Sequence, residues 1–66
     1  MNFLLQALIA KLQGEVEVAK ANVLVYQRSP AGIAEQQEIV EAIETQIEKI
    51  ANAEEKIETI QKHFSR

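Results

Sequence analysis

Ten glutamates and a single histidine are the residues of this 66-residue chain that could carry acid–base or metal chemistry. The glutamates come close together as Glu35 and Glu38, Glu41 and Glu44, and Glu54 and Glu55. Paired carboxylates do acid–base work when a pocket desolvates one of them and holds its proton. The face of a solvated helix offers no such pocket, so these pairs read as surface. Glu58, Lys62 and His63 form the other grouping. Neighbours on a helix point apart, a lone histidine cannot build a zinc site, and a histidine in the last turn interacts favourably with the helix dipole. There is no cysteine, which excludes disulfides and thiolate metal sites. No nucleotide-binding loop or nucleophile motif occurs. The expectation is a non-enzymatic protein with no cofactor, no metal and no small-molecule substrate.

The elements that carry these side chains are two helices. Over residues 2–27, Asn2, Leu5, Ile9, Leu12, Val16, Ala19, Val23 and Tyr26 recur at alternating spacings of three and four. That is the a/d seam of a coiled coil, with Asn2 as the N-cap. Arg28 to Gln37 hold the only proline and one of two glycines. Pro30 cannot continue the first helix, and Ser29 could cap a second with Pro30 in its first position. A second helix is predicted over 38–64, restarting anywhere from Pro30 to Glu38. Its apolar positions are Ile39, Val40, Ile43, Ile47, Ile50, Ala53, Ile57, Ile60 and Phe64. Glu58–Lys62 is a favourable i,i+4 pair, whereas Glu44–Glu48 and Glu54–Glu58 are mildly repulsive.

Helices of 26 and 27 residues joined by a short connection favour an antiparallel hairpin. The predicted fold is therefore all-α, a coiled-coil-like two-helix hairpin in one domain. It would place Leu5 near Phe64 and Ile60, Leu12 near Ile57 and Ala53, and Val23 near Ile43 and Ile39. Tyr26 and Phe64 would plug the ends of the core.

Sixty-six residues make a marginal solitary core, and with neither disulfide nor metal available the remaining staple is association. The first helix has the surface for it. Sixteen of its 26 residues are apolar, against 11 of 27 in the second. Its seam uses fewer than half of them. Phe3, Leu4, Ala7, Val18, Ala21 and Val25 lie away from the seam, and Ala7, Gly14 and Ala21 follow one another at intervals of seven. Soluble monomers rarely leave so much apolar surface bare. Phe3, Leu4, Ala7, Gly14, Val18, Ala21 and Val25 are the expected partner interface, with the second helix as an acidic outer layer.

Charge narrows the partner. Lys11, Lys20 and Arg28 against Glu15 and Glu17 leave +1 in the first 28 residues. Lys49, Lys56, Lys62 and Arg66 against eight glutamates leave −4 in the rest. Nucleic-acid binders concentrate basic side chains into a stripe, which is missing, so nucleic acid is disfavoured. A helix lying on a membrane would carry a Lys/Arg-rich polar face, for which Lys11 and Lys20 are thin support. The apolar start is too short to span a bilayer and lacks the basic leader of a signal peptide.

Pro30-Ala-Gly-Ile33, Glu38-Ile-Val-Glu-Ala-Ile43 and the run from Ile47 to Phe64 together resemble small helical proteins encoded by tailed bacteriophages. The resemblance covers about half the chain and supplies no site residues. It implies a phage setting, in the virion or the host cytoplasm. There, a short non-enzymatic helical protein serves as a virion component, an assembly factor or a regulator that blocks a host or phage protein. Residues alone leave a third class open, an RNA-binding hairpin dimer, against which the missing basic stripe counts.

Overall fold

The computed structural model describes residues 2–28 and 36–65. Two helices make up the fold: α1 spans Phe3–Arg28 and α2 spans Gln36–Phe64. They pack side by side and antiparallel as an all-α hairpin 51 Å long. The described part of α2 begins at Gln36, and most of the interval predicted for its restart lies outside the described residues. The capping role foreseen for Ser29 and Pro30 lies outside the described residues.

The start of α1 follows from its cap. Asn2 Oδ1 accepts the Leu5 N–H at 2.9 Å, and the Asn2 carbonyl accepts the Gln6 N–H at 3.0 Å. One otherwise orphaned donor is thereby satisfied while the first intrahelical bond forms. From there no residue breaks the backbone ladder until Arg28.

The α1 seam packs as its spacing predicts. Leu12 and Ala19 are buried, and Leu5, Ile9, Val16, Val23 and Tyr26 are half-buried. Leu12, at 2% exposure, forms the core cluster with Ala53 and Ile60; Leu5, Ile9, Val16 and Ile57 pack against it. Each large aliphatic side chain so covered contributes about 1.5–3 kcal/mol in proportion to the surface it hides. The layer is thin, however. Two of its buried members are alanines, and among the described residues no large side chain is wholly buried.

On α2 the seam departs from the expectation at three places. Val40 and Ile47, both assigned to the core, are exposed, Ile47 by 51%. The buried position between Ile43 and Ile50 belongs to Gln46, 7% exposed. Alternating steps of three and four through 39, 43, 46, 50, 53, 57 and 60 stay on one face of a helix. Ile47 lies one residue, or about 100°, off that line. Phe64 is also exposed, with the neighbouring His63 ring edge-on at 6.2 Å, so it does not plug the core end. It is the last residue of α2 and is left uncovered by the hairpin.

Candidate functional site

The hairpin covers one face of α1 and leaves another open. Phe3, Leu4, Ala7, Gly14, Val18, Ala21 and Val25 are all exposed, with Phe3 at 77%, Val18 at 63% and Val25 at 65%. At 3.6 residues per turn, Ala7, Gly14 and Ala21 run in line, with Leu4, Val18 and Val25 on one side and Phe3 on the other. The seven residues therefore share one face of a single rigid helix. Leu24 adds exposed apolar surface toward α2.

Gly14 sits in the middle of this face. A mid-helix glycine costs roughly 1 kcal/mol relative to alanine. A β-carbon built at position 14 would meet nothing within 4 Å, so the hairpin itself does not require the missing side chain.

Polar groups flank the strip. Lys11 Nζ lies 2.9 Å from Glu15 Oε1, and Lys20 Nζ lies 3.4 Å from Glu17 Oε1, all four side chains being well exposed. Among the described residues these are the ion pairs, rather than the expected Glu58–Lys62. The Lys11 hydrogen bond and charge hold the Glu15 carboxyl below its ordinary value of 4.5, with a smaller contribution from Lys56 on α2. An open groove of about 700 Å³ runs beside the strip, lined by Gly14, Val18 and Ala19 of α1 and by Lys49, Ala53 and Lys56 of α2.

A second apolar patch escaped the sequence reading. Val23 and Leu24 of α1 border a shallow groove with Ile47 and Ile50 of α2. The signal lay in Gln46: had it been admitted to the seam, Ile47 would have fallen on the flank beside Leu24.

Such a surface can exclude water and pack against another. Among the described residues no three His, Asp or Glu side chains converge as metal ligands, and no helix is long and apolar enough to cross a membrane. No protein-family model, curated protein or solved structure matches the chain.

Proposed function

We propose that this chain is a non-enzymatic structural protein that works by packing the open face of α1 against another protein surface. In the phage setting that the resemblance implies, it acts as a virion component or an assembly factor. The observation that carries this reading is the exposure of Phe3, Leu4, Val18 and Val25 on one face of a helix whose other face is already packed. A contiguous apolar face bordered by charged side chains marks a docking surface on a soluble protein.

The test is co-purification of the tagged chain from the cells and particles in which it is made, beside a Val18→Lys variant. Lysine is a good helix former on a solvated face, but a charge buried against a partner without a counter-ion is costly. Val18→Lys should keep its helical content by circular dichroism and lose the co-purifying protein. Equal recovery with both chains would refute the reading. Recovery of one soluble client at fixed stoichiometry, rather than of an assembly, would favour the regulator over the structural role.

A further inference from the structure

Gly14 is the centre of a pattern that the hairpin does not use. Ala10 and Val18 stand four residues to either side of it, Ala7 and Ala21 seven, and Phe3 and Val25 eleven. Steps of four, seven and eleven return to the same side of a helix. The face is thus smallest at its midpoint, apolar at each paired position, and bulky at both ends. A twofold axis passing across Gly14 would set each residue opposite the other member of its pair in the second copy. Self-matching of this kind is what an interface between two identical chains requires, whereas an unrelated partner imposes no such symmetry.

We propose that the partner of this face is a second copy of the chain, with α1 packed antiparallel on α1 and the twofold axis at Gly14. The proposal rests on the packing role argued above and names its occupant. Close approach of the two backbones at the axis explains a glycine where the hairpin leaves open space. Charge agrees with the arrangement. In an antiparallel pair related by a twofold axis, like edges of the two helices meet. Lys11 of one copy then comes within two residues of register of Glu15 of the other, the two Glu15 side chains come equally close to each other, and the two lysines and two glutamates together form a neutral cluster on that edge. Lys11 and Glu15 already attract one another within a chain at 2.9 Å. The glutamate-rich α2 helices end up as the two outer layers, separated by both copies of α1, so their like charges stay apart.

Position 14 faces its own copy in this arrangement, which makes charge a direct probe of it. The 66-residue chain should sediment at twice its 7.4 kDa mass. Gly14→Lys and Gly14→Glu should each retain helical content, because the hairpin has room for the side chain. Each should raise the dimer dissociation constant about 100-fold or more by setting like charges against each other. An equimolar mixture of the two should associate again. Orientation is read by mixing Ala7→Cys with Ala21→Cys chains, in which disulfides should join 7 to 21 in preference to 7 to 7 or 21 to 21. A helical wild-type monomer, a dimer indifferent to either charge at 14, or a preference for 7-to-7 linkage would overturn the proposal. If the wild type is monomeric yet Val18→Lys still loses its co-purifying protein, self-pairing falls and the packing role stands. If Val18→Lys also changes nothing, both fall.

Discussion

Asn22 Nδ2 donates a hydrogen bond of 3.1 Å to Gln46 Oε1, joining residues 24 apart in the chain across the interface of the two helices. It is a polar contact set into an apolar seam. Sliding one helix along the other by a turn would still set apolar residues against one another but would strand the buried Gln46 carbonyl. A polar pair of this kind defines register more than it adds stability.

Asn22→Ala should therefore destabilise the hairpin by about 1–2 kcal/mol, the cost of a buried acceptor left without its donor. Adding Gln46→Leu should recover most of that loss, since replacing both partners removes the unsatisfied group. Urea melts of the two single variants and the double variant give the coupling. Additive losses would show that the pair is not a unit.

Leu12→Ala should cost about 2–5 kcal/mol through lost burial and the cavity left behind, because Leu12 is the most enclosed large side chain of the core. Glu41 is exposed, and its backbone carbonyl accepts a hydrogen bond from Thr45 Oγ1 at 3.1 Å. Glu41→Ala should stay within about 0.5 kcal/mol of the parent. Thermal melts at one fixed protein concentration compare them, and equal losses would reverse the assignment of faces.

Ile60 is buried and Phe64 exposed, so residue size misleads at the end of α2. Ile60→Ala should lower the melting temperature clearly, while Phe64→Ala should move it little, since an exposed ring leaves no cavity when removed. Comparable drops would place Phe64 in the core after all.

Glu15 provides a pH test. Its carboxyl is held below 4.5 by Lys11, so the folded state binds its proton less tightly than the unfolded state does. Any stabilisation from the pair is present above the ordinary carboxylate range and is lost as the pH falls through the lowered value. Both side chains are exposed, so the energetic effect is small. Lys11→Gln should move the Glu15 titration, followed by carboxyl NMR, back up toward 4.5. An unmoved midpoint would assign the shift elsewhere.

Much of the fold was legible because a helix declares itself by spacing. Asn2 before an apolar run, unbroken three-and-four steps to Tyr26 and the arrest at Pro30 suffice for α1 and its cap. On α2 the same rule was applied to apolar residues alone, and it slipped at Ile47. Gln46 is polar by type but occupies a seam position because Asn22 satisfies its carbonyl; a partner 24 residues away leaves no mark on local spacing. Phe64 erred differently, since its spacing continues the seam by one step yet the ring is left exposed. The open face of α1 was legible as surplus, because one α2 helix cannot cover apolar residues on two sides of another helix. The symmetry of that face about Gly14 becomes telling only once the space at Gly14 is seen to be empty.

The thin layer between α1 and α2 also bears on how long a chain survives. With Ala19 and Ala53 at its buried centre, so thin a hairpin would sit in a shallow well and open readily, presenting both seams to proteases at each opening. Docking as proposed above would bind the closed form alone and so suppress opening by mass action. Chains held in an assembly would persist while surplus chains were degraded, so the quantity retained would follow the number of docking places available without a separate control on synthesis.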